Sequence, residues 1–388
     1  MPGTSATLDN EWLLLLAACS ASPQQEKIER IRARLQSPIR WKSLFALADR
    51  HGAQPLLHQA LSGLDDAIPA DELRTLMQNY QTNLIKTLLV SRELIRIVDR
   101  LLALGIEVMP YKGPALAEVL YGDVAMRQSG DIDLLIRPQD FPRVRNAASE
   151  LGYTPHLALS EKEERAYLKS GYECAFDGAA GPNLLEVQWA IQPRFYAVDL
   201  DMDALFQRGM TVSVAGQQMK TPCSEDLFLI LAVHAAKHVW GRLVWLCDLA
   251  QLMTFPTLKW DVVGSQAKKL GVARILRVTV HLANRLLGAT IPAAVNENLL
   301  SDAETTPLAE EIQKYIGSDT EYNVESFAYF RLMLRLRERR TDQLRFIRRL
   351  ALTPGPSEWK AVRLPAPLFP FYRVVRLSRL AARLVYRS

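Results

Sequence analysis

The stretch Gly105–Ile136 limits the possible folds most, because its turn and charge signals are compatible with few geometries. Gly105-Ile-Glu-Val-Met-Pro-Tyr111 reads as a strand, and Lys112-Gly113 follows it directly. Pro114 stands where a first helical residue belongs, and Ala115 to Leu120 continue that turn. A loop then reaches Gly130 and a strand that opens on Asp131 and Asp133. One residue separates these acids, so on a strand they share a face, while Ile132, Leu134 and Ile136 point the other way into a core.

Two carboxylates side by side repel each other unless a cation lies between them. Hard carboxylate oxygens suit Mg²⁺, with Mn²⁺ as the alternative. Taken alone, Asp-x-Asp also fits a solvated turn acid followed by an edge-strand acid. The neighbours of the pair argue for more. A glycine turn at Gly113 feeding a helix N-terminus offers free backbone N–H groups to an anion, and Lys112 adds positive charge at the same edge. Arg127 and Ser129 precede the acids and are placed to meet phosphate oxygens. Phosphate donors beside a metal-binding acid pair compose a phosphoryl-transfer site.

In this order, Lys112, Gly113, Arg127, Gly130, Asp131 and Asp133 resemble the signature of a bacterial family of uncharacterised nucleotidyltransferases, within the DNA polymerase β-type nucleotidyltransferase superfamily. The resemblance implies a small mixed sheet as the catalytic core. It also implies transfer of a nucleoside monophosphate from an NTP, ATP foremost, to an acceptor hydroxyl, with pyrophosphate leaving. The acceptor class stays open between small molecule, peptide and protein. A third metal-site acid is implied on a later strand, and Glu186 is the candidate. In Leu184–Trp189 it shares a face with Leu184 and Gln188, opposite Leu185, Val187 and Trp189, and a carboxylate in such a strand is costly without a partner. Glu186 would be a ligand or the base for the acceptor hydroxyl, the alternative being a solvated acid on an edge strand. The chain departs from the pattern twice: Gly113-Pro114 stands where the superfamily more often has Gly-Ser, and Gln188 where the family commonly has histidine.

With 388 residues, 49% hydrophobic and 23% charged, the chain has the size for two or three domains. Its charge is uneven. Residues 331–388 hold 15 Lys+Arg and 3 Asp+Glu, so they carry +12 of a net +5 and leave −7 for the rest. The catalytic region is therefore no basic cradle, which makes a nucleic-acid substrate unlikely. Cys19, Cys174, Cys223 and Cys247 are scattered without metal spacing, as expected of reduced thiols in a cytoplasmic protein. Leu13 to Cys19 imitates a lipoprotein signal, but Asp9 and Glu11 precede it in place of a basic region, so an amphipathic helix is expected. No segment reaches the length of a membrane span.

Four regions organise the expected α+β fold: a helical region 1–104, a nucleotidyltransferase core 105–222, a second helical region 223–350 and a basic tail 351–388. The first contains short helices over 12–19, 25–35, 41–51 and 55–61, then one or two long amphipathic helices over 70–104. It buttresses the core and shapes the acceptor pocket, with His51 and His58 as structural histidines. In the core, a helix over 138–151 gives way to a polar stretch up to Lys169. Strands over 172–176 and 184–189 follow, joined by the glycine-rich turn 177–181, and a strand or hairpin spans 212–220. Beyond, Ser224 is expected to cap a helix with acids in its first turn, and Asp248 to begin another.

His234 and His238 lie at i and i+4, a spacing that fits a zinc pair, but Ala235, Ala236 and Lys237 intervene where a metalloprotease would need glutamate. The family resemblance extends through Glu-Asp, His, His, Arg, Trp and Asp. It implies that His234, His238, Arg242 and Asp248 line the nucleotide or acceptor cleft, with Asp248 fixing Arg242 or a histidine. A structural hydrogen-bond network is the other reading. Helices are expected over 264–288, with one or two long ones over 302–349. After five prolines, residues 372–386 alternate apolar side chains with arginines at 373, 376, 379 and 383, and Arg387 follows. Such a helix suits a membrane surface, docking on the protein itself, or an RNA or acidic partner. Two further functions remain open: phosphotransfer in a biosynthetic cluster, and a degenerate core that serves as a nucleotide-binding or scaffold module.

Overall fold

The computed structural model describes residues 9–178, 181–291, 295, 302–317, 322–323 and 326–386. Its centre is a five-stranded sheet of β1 (Met109–Pro110), β2 (Asp131–Leu135), β3 (Tyr153–Pro155), β4 (Glu173–Gly178) and β5 (Gly181–Gln188), in the order β1-β2-β5-β4-β3. Only β2 and β5 run parallel; the other neighbours are antiparallel. With helices on both flanks this is the expected α+β architecture around a small mixed sheet. Alternation sets the two faces. Ile132, Leu134 and Ile136 join Leu185, Val187 and Trp189 in one apolar layer, covered by Val90, Leu94 and Val98 of the helix Ala70–Ala103 and by Val144 and Ala148 of the helix Phe141–Glu150. The opposite face carries Asp131, Asp133, Glu186 and Gln188.

The expected helices over 12–61 form as Asn10–Ala18, Gln24–Leu35, Trp41–Arg50 and Gln54–Leu61, and residues 70–103 make one helix of 34 residues. Several expectations are corrected. The strand over 105–111 shrinks to two residues, because the chain meets β2 only at Met109 and Pro110, and Pro110 has no N–H to extend the ladder. The polar stretch up to Lys169 contains β3 and a helix, Glu161–Ser170, started by a capping box between Ser160 and Glu163. Between the strands β4 and β5, residues 179 and 180 of the glycine-rich turn lie outside the described residues. The segment 212–220 forms the hairpin of β6 (Met210–Val214) and β7 (Gln217–Thr221), and Thr221 Oγ1 donates to Pro110 O at 2.8 Å.

Beyond the sheet, Ser224 is the first helical residue of Ser224–Lys237, and Cys223 holds the cap position. Asp248 lies in the middle of Leu243–Met253, so it does not begin a helix. Helices Trp260–Leu270 and Ala273–Leu287 follow, and the region 302–349 divides into Thr305–Ile316, Phe327–Arg335 and the start of Arg340–Leu352. One apolar cluster unites the helices on either side of the sheet in sequence: Leu15, Leu44 and Leu57 pack with Leu231, Leu249 and Leu282. Leu116, Leu120 and Met126, from the segment before β2, belong to the same cluster. No helix among the described residues is long and apolar enough to cross a membrane.

Candidate active site

Parallel pairing of β2 with β5 places Asp133 opposite Glu186, one strand away on the same face, with Asp131 opposite Leu184. Antiparallel pairing of β4 with β5 then sets Glu173 opposite Gln188. Four carboxylates thus converge on one side of the sheet, where the sequence had suggested three. Glu173 alternates with Cys174 and Phe176, which point into the core. That alternation was the available signal for it.

The acids are poorly compensated. Lys112 Nζ lies 2.8 Å from Asp133 Oδ1, and both side chains are largely withdrawn from solvent. Burial alone would lower the Lys112 pKa, but the Asp133 charge outweighs it and the ammonium is held above its usual range. Gln188 is the hub of the remaining network. Its Nε2 faces Glu186 Oε2 at 3.0 Å, Asp133 Oδ1 at 3.3 Å and Glu173 Oε2 at 3.5 Å, while its Oε1 accepts from Tyr111 OH at 2.6 Å. One amide has two hydrogens to give, so three carboxylates share a deficit of donors. Asp133 Oδ2 is buried with no hydrogen-bond partner. Burial, then the charges of Asp133 and Glu173, push the Glu186 carboxyl up to about 8. Burial followed by Asp133 raises Asp131, and burial raises Glu173.

A hard divalent cation fits this donor set in type and charge: oxygen ligands in excess, an orphaned buried carboxylate oxygen, and acids pulled toward protonation for lack of counter-charge. The side chains as they stand do not close a coordination sphere. Among the described residues no group of three or more His, Cys, Asp or Glu is arranged to hold a metal ion, and the Lys112 ammonium occupies the side of Asp133 that faces it.

Beside the acids lies the expected turn. Lys112 caps the helix Gly113–Tyr121, and Gly113 has φ +55°, a left-handed conformation that favours glycine. A Cβ there would come within 3.4 Å of the Asp131 carbonyl and 3.8 Å of Ser129 Oγ. Ser129 is 4% exposed and its hydroxyl has no partner. The free N–H groups of this helix start and the unpaired hydroxyl therefore lie together next to Asp131.

A cleft of about 1170 Å³ opens over the face. Lys112, Arg127, Ser129, Gly130, Asp131 and Glu186 line it, with His234, His238 and Arg242 across from them. Asp133, Gly113 and Asp248 lie behind that surface. Asp248 fixes neither Arg242 nor a histidine; its Oδ2 takes Arg127 Nε at 3.0 Å, and its Oδ1 accepts from Tyr121 OH at 3.2 Å. It is buried on the helix Leu243–Met253, whose first turn does not reach it. Arg127 is thereby clamped at the cleft wall with its position set from the C-terminal helices.

His234 and His238 meet at 4.9 Å between ring centroids in a tilted arrangement, Trp245 meets His234 edge-on at 5.2 Å and His238 at 5.3 Å, and Arg242 lies 6.0 Å from that indole. Burial, then neighbouring lysines, keeps both imidazoles neutral, with His238 pushed down to about 3. Lys237 also faces the cleft, its pKa lowered by burial. Sequence reasoning passed over Lys237 and Lys86, the latter on the long helix with its Nζ near Gly130. An exposed lysine on an amphipathic helix has no local signal that distinguishes a cleft wall from solvent. All four cysteines are free.

No curated protein and no solved structure matches the sequence. The profile of the family described as uncharacterised nucleotidyltransferase matches residues 37–288, more than half of the chain, from the helix Trp41–Arg50 through the whole sheet to the helices around His234, His238 and Asp248. The chain belongs to this uncharacterised nucleotidyltransferase family.

Proposed function

We propose that this nucleotidyltransferase moves a nucleoside monophosphate from an NTP, with ATP as the first candidate, to an acceptor hydroxyl. The observation that carries the reading is the register Asp133–Glu186 next to the Gly113 helix start, which brings an acid cluster and an anion cradle to one end of one cleft. Asp131, Asp133 and Glu186 would hold Mg²⁺, or Mn²⁺ in its place. When bound, the ion supplies Lewis-acid polarisation of the phosphate oxygens.

The chain's own groups do the rest. The N–H groups at Gly113, the Ser129 hydroxyl and the Gly130 backbone receive phosphate oxygens. Lys112 is close enough to exchange Asp133 for a phosphate and to offset the charge that grows on the leaving pyrophosphate. Arg127, oriented by Asp248, adds a fixed positive charge at the same wall. Glu186, once ionised, takes the proton from the acceptor hydroxyl as its oxygen attacks the α-phosphorus. The neutral rings of His234, His238 and Trp245, inclined to one another, offer with Arg242 an aromatic and polar wall for the base or the acceptor.

Incubation with α-³²P and γ-³²P ATP in the presence of candidate acceptors tests this. Label on the acceptor from the α position alone is expected. Label from the γ position would make the protein a phosphotransferase, and no Mg²⁺-dependent NTP binding in calorimetry would make it a scaffold. The Lys112–Asp133 ion pair favours that last reading, since it satisfies part of the acid cluster without a cation, as do Gly113-Pro114 and Gln188 where the family pattern differs.

A further inference from the structure

We propose that the outer side of the C-terminal segment 344–377 is a docking surface for a membrane bearing anionic phospholipid. Fifteen large apolar side chains stand exposed among the described residues, and eight of them fall in this segment: Leu344, Ile347, Leu352, Val362, Leu368, Phe371, Val374 and Leu377. So dense a group on so short a stretch is unlike the scattered exposure of an ordinary surface.

The segment is held in place from its inner side. Tyr372 is buried and stacks on Trp359 at 4.1 Å between ring centroids, and Trp359 in turn meets Tyr167 of the helix Glu161–Ser170. Arg376 is also turned inward, donating to Leu350 O at 3.0 Å and pairing with the buried Glu358 at 3.3 Å. The helix Tyr372–Tyr386 is therefore tied to Trp359 through Tyr372 and to the helix Arg340–Leu352 through Arg376, while Val374 (56% exposed) and Leu377 (44%) face out. A helix that had evolved only to dock on the protein would bury its aliphatic side. This one leaves Val374 and Leu377 exposed, with Val375 and Leu380 half-buried.

Cations surround the exposed apolar groups: Arg348, Lys360, Arg363 and Arg373 are all exposed. The region from 331 onward carries +12 and the rest of the chain −7, so the excess positive charge that a negative plane attracts is concentrated in this part of the sequence. Aliphatic side chains set among basic ones match the boundary between headgroups and acyl chains. Single-stranded nucleic acid calls for stacking rings, and Phe371 is the lone aromatic among the eight. An acidic protein would be served by the arginines without the aliphatics.

Co-sedimentation of the full chain with vesicles tests the proposal, comparing pure phosphatidylcholine with phosphatidylcholine containing phosphatidylglycerol. Binding is expected to the mixed vesicles only. The Val374→Asp/Leu377→Asp variant should partition at least ~10-fold more weakly, and Arg348→Gln/Arg373→Gln should weaken binding in low salt and reduce its salt dependence. All four side chains are exposed, so circular dichroism should be unchanged, and the arginine variant still decides the matter if the aspartates disturb folding. Failure to sediment with anionic vesicles, unchanged binding by both variants, or preferential binding of a single-stranded oligonucleotide or polyglutamate would overturn the proposal.

Discussion

Asp131 and Asp133 lie two residues apart on one strand, yet they are held quite differently. Asp133 is buried against Lys112, whereas Asp131 opens to the cleft. Asp133→Asn would leave a buried ammonium without its anion, and a stability loss of roughly 3–5 kcal/mol is expected. Asp131→Asn strands no partner and should change stability by no more than about 1 kcal/mol. Both are expected to lose transfer by about 10²-fold or more. Asp131→Asn is therefore the cleaner probe: urea unfolding should be near normal while α-label transfer is lost, and full activity would remove the acid pair from the mechanism. Glu186 adds a pH signature. Its carboxyl titrates near 8 in the folded chain and in the ordinary glutamate range when unfolded. Between those values the folded state alone keeps the proton, so this group's contribution to stability falls as pH rises toward 8. Glu186→Gln should raise the metal-free unfolding free energy at pH 8 by on the order of 1–3 kcal/mol and change it little at pH 5. Equal effects at both pH values would show that the carboxyl is not strained by its neighbours.

At the scale of the elements, the helix start at Gly113 is the part of the site with the least tolerance. Alanine there must adopt φ +55°, a strained backbone for any residue with a Cβ, with its methyl in contact with the Asp131 carbonyl. A cost of about 1 kcal/mol in stability is expected from the backbone alone. The larger effect should be on nucleotide binding, since relief of the strain shifts the N–H groups away from Ser129 and Asp131. Calorimetric titration of Gly113→Ala with ATP should show affinity lowered by about 10-fold, and wild-type affinity would mean that phosphate is bound elsewhere. Much of this element was legible in advance, because glycine, proline and alternating apolar residues act within a few positions. The faces of β2 and β5 were legible for the same reason. Element lengths were not: β1 ends where its neighbour ends, and nothing in Gly105–Tyr111 records how far β2 extends. Glu173 escaped because its meaning depends on pairing with Gln188, a relation set by sheet register.

For the whole molecule, an amphipathic helix announces that it has a buried stripe without naming what covers it. The sequence gives the N-terminal and C-terminal helices similar stripes, and the fold joins them in one cluster that also receives Leu116, Leu120 and Met126. The sheet is thus bound to both helical regions through the very segment that holds Gly113 and Arg127. Asp248 binds Arg127 from one side, and Asn83 Nδ2 donates to Ala125 O at 2.9 Å from the other. A fragment of residues 105–222 would expose those apolar side chains and leave Arg127 without its carboxylate. Each lost large side chain is worth about 1.5–3 kcal/mol of burial, which exceeds what a domain of this size holds in reserve. The fragment is expected to lack a cooperative thermal transition and to bind no ATP, whereas the full chain should show both. A fragment that melts cooperatively would show that the sheet is an independent domain and that the helices only wall its cleft.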